Sequence, residues 1–410
     1  MIDNYWSFKT ANTKEYTHCY HTYPAMMIPQ VARTLIEKYK PSGKLELIFD
    51  PYMGSGTTLV ESSVFGINSI GTDINPLARL ISTVKTTHFD EQKVSDALLK
   101  IQQDFDVYTP NNVNDTDFSR ISNYTFWYTE DALLRLSYIG QIIQTLPTDI
   151  VPFFNIALSE TVREVSFTRN GEFKRFRMSS KSLSNFNPNV FLTFLQKVQR
   201  NLIGLQEYNK ISKKCTTTIC DFNTVYDIPN NIIGNETVDM IVTSPPYGDS
   251  HTTVAYGQFS RWANEWFDFP NAKNLDNILM GGLKKQNITI SPQSIKNELQ
   301  TIQELDVARY NEVMSFLEDY THSIINTAKL IRKGGRVCYV VGNRTVKGVQ
   351  IPLDYFTAET FENAGFKHDI TIVREIPNKR MPSKTSPTNK TGEKVNTMSN
   401  EYIVILTKQS

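Results

Sequence analysis

One segment constrains the fold more than any other: Leu45-Glu46-Leu47-Ile48-Phe49-Asp50-Pro51-Tyr52-Met53-Gly54-Ser55-Gly56-Thr57-Thr58, an apolar strand that runs into a small-residue turn. A helix, Leu59 to Phe65, follows it, and a second short strand, Ser69-Ile70-Gly71-Thr72, ends in Asp73-Ile74-Asn75. Strand, helix and strand at this spacing predict a βαβ crossover and therefore a parallel sheet. Glycines at 54 and 56 let the backbone approach a ligand closely, and the helix N-terminus beyond them favours a carboxylate or other anion. Asp73 lies about 20 residues after the glycine turn, where such folds bind a ribose diol, and is the expected ribose ligand. The turn is not a Gly-x-Gly-x-x-Gly fingerprint, and no Gly-Lys-Thr or Gly-Lys-Ser follows it, which argues against a cofactor with a pyrophosphate.

Further strands are expected at Thr216–Ile219, Val238–Val242, Arg336–Val341, His368–Arg374 and Tyr402–Thr407, which with Leu45–Phe49 and Ser69–Thr72 make seven. Helical patterns at Ile28–Lys40, Leu59–Phe65 and Tyr310–Arg332 cover both faces of the sheet, the last ending at Gly334-Gly335 because glycine suits the position after a helix. The stretch from Asp90 to Lys214 far exceeds an ordinary loop. The chain is therefore divided into 1–89, an inserted helical region 90–214 with the target-recognition role, and 215–410. Inside the insertion, Leu133 to Leu146 and Phe153 to Val165 carry apolar residues at helical spacing, and these stripes read as core. A second helical insertion, about Tyr247 to Asp306, contains Trp262, Trp266 and Phe267.

Thr243-Ser244-Pro245-Pro246-Tyr247 follows the apolar run Val238 to Val242. Two prolines fix φ and remove two backbone donors, so the Ser244 hydroxyl and nearby carbonyls can accept hydrogen bonds from an exocyclic amine while Tyr247 offers a stacking face. Cys19, Cys215, Cys220 and Cys338 show no Cys-x-x-Cys or Cys/His metal spacing, so neither disulfides nor a metal are expected.

Together and in this order, the Asp50–Thr58 and Ser244–Tyr247 motifs resemble those of the DNA amino-methyltransferases, which use S-adenosylmethionine. His21-Thr22-Tyr23-Pro24-Ala25 resembles that family's upstream cofactor motif, and Cys220-Asp221-Phe222 its third, whose acid approaches the adenine amine. The resemblance implies a Rossmann-like class I methyltransferase fold, α/β, with an antiparallel closing strand. It also implies a cofactor site of His21, Tyr23, Pro24, Asp50, Pro51, Gly54, Ser55, Gly56, Thr57, Asp73 and Asp221, and catalytic Ser244, Pro245, Pro246 and Tyr247. Ser-Pro-Pro-Tyr and its continuation through Arg261 resemble the site-specific cytosine-N4 methylases, whose reaction class brings double-stranded DNA as substrate and a cognate restriction endonuclease as partner. No cysteine stands in the Pro-Cys arrangement of carbon-5 cytosine methylases, which argues for direct transfer to nitrogen. Adenine-N6 methylation, RNA guanine-N2 methylation and a catalytically silent DNA-binding scaffold stay open as alternatives.

Formal charge is +1, so any footprint for DNA must come from local clusters. One contains Arg169, Lys174, Arg175, Arg177 and Lys181 around Asn170-Gly171; the other, Pro377 to Lys394, contains Lys379, Arg380, Lys384, Lys390 and Lys394. Arg169, Lys174, Arg175, Lys379, Arg380 and Lys384 are the expected DNA contacts. Asp249 reads as a cap more readily than as a ring ligand, and His251 and Tyr256 suit structure as well as catalysis. No apolar run of about 18 residues and no leader pattern occurs, so a cytoplasmic protein without membrane contact is expected.

Overall fold

Near-continuous apolar runs in short strands require a sheet covered on both sides, and β1 and β4 are buried along almost their whole length. The computed structural model describes residues 3–24, 26–171, 173–247, 250–282, 284–285, 287–376, 384–385, 395–396 and 400–409. Its main sheet consists of β1 (Leu47–Asp50), β2 (Asn68–Thr72), β3 (Thr217–Cys220), β4 (Val238–Thr243), β5 (Ile331–Val341), β6 (Phe366–Glu375) and β7 (Asn400–Lys408). The strands hydrogen-bond in the order 3-2-1-4-5-7-6. Pairing is parallel from β3 to β5, while β7 runs antiparallel to both of its neighbours, β5 and β6. All seven expected strands are present, in the expected mostly parallel sheet with one antiparallel closing strand.

Each strand divides its side chains between two layers. Ile48, Met240, Val242, Cys338, Val340, Ile403 and Ile405 pack beneath α1 (Pro29–Lys38) with Val31, Leu35 and Trp6. Phe49, Ile241, Val337, Tyr339, Val404 and Leu406 face the other way, onto α9 (Val307–Ala328) and α10 (Leu353–Asn363) through Phe316, Tyr320, Ile324 and Phe361.

The glycine pair expected to close the long helix has another use. The helix ends at Ala328 and β5 begins at Ile331, so Gly334 and Gly335 lie within the strand. Gly334 has φ +72° where the β4–β5 register shifts between Val238 and Met240. A left-handed residue inserted in a strand makes a bulge, and glycine adopts it without a Cβ penalty.

Residues 90–214 contribute α4 (Glu91–Asp106), α5 (Glu130–Gln144), α6 (Val151–Glu164) and α7 (Val190–Ile211). Their apolar faces share one core with α3 (Pro76–Thr86) and with α8 (Ser250–Trp266), in which Trp262 is fully buried. α2 (Thr57–Phe65) follows the glycine turn. Two further short antiparallel pairings join Thr345–Val346 to Val349–Gln350 and Lys384–Thr385 to Val395–Asn396. Among the described residues no helix is long and apolar enough to cross a membrane.

The chain leaves β1 toward β2 and leaves β4 toward β5, in opposite directions across the sheet, so the carboxyl ends of β1 and β4 flank the switch point at which an open α/β sheet has its crevice. β1 ends in Asp50 and β4 in Thr243, and the Thr243 hydroxyl donates to Asp50 Oδ1 at 2.5 Å.

Candidate active site

The turn between β1 and α2 is held from behind. Gly56, at φ +73°, caps α2 with its amide donated to the Met53 carbonyl at 2.7 Å. A Cβ there would lie 2.7 Å from Ser82 Oγ and 3.1 Å from Ser82 Cα, so α3 approaches the turn closely only because the residue is glycine. From α3, Ser82 Oγ donates to the Gly54 carbonyl at 2.9 Å and Lys85 Nζ to the Ser55 carbonyl at 2.8 Å. Lys85 is fully buried, and burial pulls its ammonium down to about 7. The Thr58 hydroxyl ties the start of α2 to the Val242 carbonyl of β4 at 3.0 Å.

In front of the turn lies a cleft lined by Tyr23, Pro24, Asp50, Gly54, Ser55, Thr57, Asp73, Ser244 and Pro246, together with Met26, Met27, Tyr52, Met53 and Leu279. Asp50 accepts the Tyr52 amide at 3.1 Å in addition to the Thr243 hydroxyl. Asp73 accepts the Gly54 amide at 3.1 Å through Oδ2 and the Asn75 amide at 2.8 Å through Oδ1. Burial pushes both carboxyls up to about 6, against the lowering effect of those hydrogen bonds. A buried and a half-buried carboxylate in one cleft make a donor-seeking, cation-tolerant site, which suits a ligand with ribose hydroxyls and a positive charge.

Asn75 joins the cleft to the rest of the molecule. Its Nδ2 donates to the Tyr23 hydroxyl at 2.9 Å and to Ser260 Oγ on α8 at 2.7 Å. Sequence reasoning missed this residue, although Asn before Pro76 is a legible helix start, and the Asn75 side chain does cap α3 by accepting the Leu77 amide.

The expected cofactor residues fall into three groups. Tyr23, Pro24, Asp50, Gly54, Ser55, Thr57 and Asp73 line the cleft. Gly56 and Pro51 support it, the Pro51 carbonyl accepting the Thr72 hydroxyl at 2.9 Å. Asp221 is largely exposed and pairs with Arg79 at 2.9 Å, whose Nη1 also donates to the Asp73 carbonyl. His21 is buried to the side, its Nδ1 at the Thr22 carbonyl, its Nε2 unpartnered and its ring edge-on to Phe259. Burial pulls the imidazole down to about 4 and keeps it neutral at pH 7.

Ser244 and Tyr247 stand together after β4, with Ser244 Oγ and the Tyr247 hydroxyl 2.8 Å apart. The Tyr247 hydroxyl donates in turn to Glu401 Oε1 on β7 at 3.4 Å, and the buried Arg374 of β6 pairs with Glu401 Oε2. Nothing in the local sequence points to Glu401.

The first basic cluster forms a hairpin. Thr168 bridges Arg177, the Arg169 amide donates to the Phe176 carbonyl at 2.8 Å, and that of Met178 to the Phe167 carbonyl at 2.9 Å. Arg169, Phe173 and Phe176 are exposed and Lys174 is half-buried. Arg175 turns inward, its guanidinium 4.6 Å from the Trp262 ring centre and 5.9 Å from that of Trp127. Its amide donates to Gln258 Oε1 on α8 at 3.2 Å. Lys379, Arg380 and Asp249 lie outside the described residues, as do the side chains of Lys384, His251 and Tyr256.

A wider depression lined by Ser42, Lys44, Asn68, Asp239 and Arg332 opens at the opposite ends of the strands. It holds none of the expected site residues, and Asp239 there is spent on the Glu46 and Leu47 amides and on Arg332.

Residues 1–82 match the DNA methylase family N6_N4_Mtase. Over 98% of its length the chain is 40% identical to the type II methyltransferase M.MvaI of Kocuria varians, covering 94% of that protein. It is 22% identical to the type II methyltransferase M.BsoBI of Geobacillus stearothermophilus, over 87% of the chain and 80% of that protein. A shorter match, 37% identical over 27% of the chain and 21% of its relative, is to the type II methyltransferase M.MjaII of Methanocaldococcus jannaschii.

Proposed function

The chain belongs to the N6/N4 family of type II DNA methyltransferases, and from that premise we propose that it methylates the exocyclic N4 of cytosine at a specific DNA site. S-adenosylmethionine is the methyl donor of this S-adenosylmethionine-dependent restriction-modification class, and when bound it supplies an electrophilic methyl group on a cationic sulfur. The observation that carries the reading is that Ser244 and Pro246 line the same cleft as Asp50 and Asp73. An amine acceptor and the cofactor's acids thus share one space.

In this reading Asp73 accepts the ribose hydroxyls, Asp50 faces the cationic end, and the turn from Pro51 to Thr57 receives the carboxylate at the N-terminus of α2. Tyr23 and Pro24 wall the cleft, and Asp221 and His21 complete the cofactor surroundings from outside it. The target base leaves the duplex and stacks on Tyr247. Ser244 Oγ and the Pro245 carbonyl accept the amine hydrogens and favour a tetrahedral nitrogen, which binds the transition state better than the planar ground state. Serine in place of an acid at 244 favours cytosine over adenine. The hairpin with Arg169 and Lys174 and the arm with Lys379, Arg380 and Lys384 meet phosphates, with the insertion reading the target, and a restriction endonuclease for the same site is the expected partner.

Digestion and mass spectrometry of DNA treated with enzyme and cofactor should show N4-methylcytosine. N6-methyladenine alone would overturn the base assignment, and methylated RNA beside untouched DNA would overturn the substrate.

Cofactor binding should also depend on pH. Asp50 and Asp73 protonate at about 6 in the free protein, against about 3.9 for an ordinary Asp. Between those values the native state holds more protons than the unfolded chain, so these two groups stabilise the empty protein less as pH rises through the window. Only the ionised forms accept hydrogen bonds on every lone pair. The dissociation constant should therefore be flat above pH 7 and rise below 6, by up to about tenfold per unit for each carboxylate. Calorimetry giving one affinity from pH 8 to pH 5 would remove both acids from the site.

A further inference from the structure

We propose that Glu401 is a positioning residue for methyl transfer, acting through Tyr247 to set the direction of the Ser244 hydroxyl and to draw off the proton that the amine loses. The inference rests on the amino-methyltransferase reading above.

Hydrogen-bond direction carries the argument. A carboxylate can only accept, so the bond between the Tyr247 hydroxyl and Glu401 Oε1, 3.4 Å long, has the phenol as donor. The phenol has then spent its one proton. With that proton directed to Glu401, the serine donates in the 2.8 Å contact between Ser244 Oγ and the Tyr247 hydroxyl, where either oxygen has a proton to give. Ser244 has in turn spent its own proton on Tyr247, and what it presents to the cleft is lone pairs. An acceptor facing the cleft is what the target amine requires, and a serine free to rotate would offer a proton there part of the time. Arg374 fixes the far end: it is buried, its Nε donates to the Trp6 carbonyl at 3.0 Å, and its guanidinium pairs with Glu401 Oε2. The carboxylate is thereby held with one oxygen toward Tyr247.

The same chain gives the departing proton a path. Once nitrogen carries the new methyl group it bears an extra proton, which passes to Ser244 Oγ as the serine proton moves to the Tyr247 oxygen and the tyrosine proton to Glu401. One N–H bond breaks and one carboxyl O–H bond forms, with both hydroxyls restored and no electron exchanged. Cytosine and adenine amines are equivalent in this respect.

Single-turnover methylation of duplex DNA, with enzyme and cofactor saturating, tests the proposal in Glu401→Gln, Tyr247→Phe and the double variant. Each single change should slow the step at least tenfold while cofactor and DNA dissociation constants stay within twofold, and Glu401→Asp should recover part of the rate. Because the two residues act in series, the double variant should be no slower than the slower single one. Single effects under tenfold, or two effects that multiply, would overturn the proposal. If Glu401→Gln loses cofactor binding, Tyr247→Phe decides alone, since it keeps the ring and removes only the oxygen that links the chain. Wild-type enzyme that methylates adenine overturns the base assignment and leaves this test intact; wild type that methylates no DNA overturns the functional reading itself.

Discussion

Replacing Gly56 with alanine is expected to destabilise the protein by about 2–5 kcal/mol and to weaken cofactor binding with it. The left-handed backbone contributes about 1–2 kcal/mol for any L side chain, and the forced contact with α3 about 1–3 kcal/mol more. That contact reaches Ser82 Cα at 3.1 Å as well as its hydroxyl, so a rotamer change cannot relieve it and α3 or the turn must move. Either movement disturbs the carbonyls of Gly54 and Ser55 that Ser82 and Lys85 hold. Gly43 is the control: it has φ +89° and nothing within 4 Å of the point where a Cβ would stand, so its alanine variant should lose only the backbone contribution. Urea denaturation and cofactor calorimetry on both variants check this, and equal losses at the two positions would refute the steric argument.

Trp262→Ala should be the most damaging single truncation outside the cleft, by about 3–5 kcal/mol. The indole is fully buried, donates Nε1–H to Thr168 Oγ1 at 3.0 Å, and lies edge-on to Trp127 and Tyr128 at 5.1 and 5.7 Å between ring centres. Arg175 packs over the same indole. Removing it leaves a cavity, frees the hairpin around Asn170 from α8, and should lower DNA affinity while the cofactor still binds the surviving fold. A loss below about 1 kcal/mol on denaturation, or unchanged DNA affinity, would show that α8 does not anchor the hairpin.

Most of the sheet was legible because its strands are short apolar runs bounded by turn residues, and each expected strand lies within a few residues of the observed one. The exception at Gly334 is instructive, since a glycine with positive φ can end a helix or bulge a strand and only the neighbouring strand's register decides between them. The lining of the cleft was legible where its residues stand close in sequence, at Asp50, Gly54, Ser55 and Thr57 and at Ser244 and Pro246. The site was not legible where the partner is remote: Glu401 reaches Tyr247 only because β7 inserts beside β5. Arg175 carries a second lesson, because a cation in a basic run can be consumed by a buried indole that lies far along the chain.

The reversed direction of β7 has a consequence for the order in which the protein is made. Every parallel strand brings its last residues to the working edge of the sheet, whereas β7 brings its first, and Glu401 stands there. A ribosome therefore completes Asp50, Asp73, Ser244 and Tyr247 long before the carboxylate that directs the last two emerges. A chain cut short before residue 400 leaves β5 without its neighbour and Tyr247 without its acceptor. On this reading a copy that lacks β7 should transfer methyl groups more slowly than the full chain.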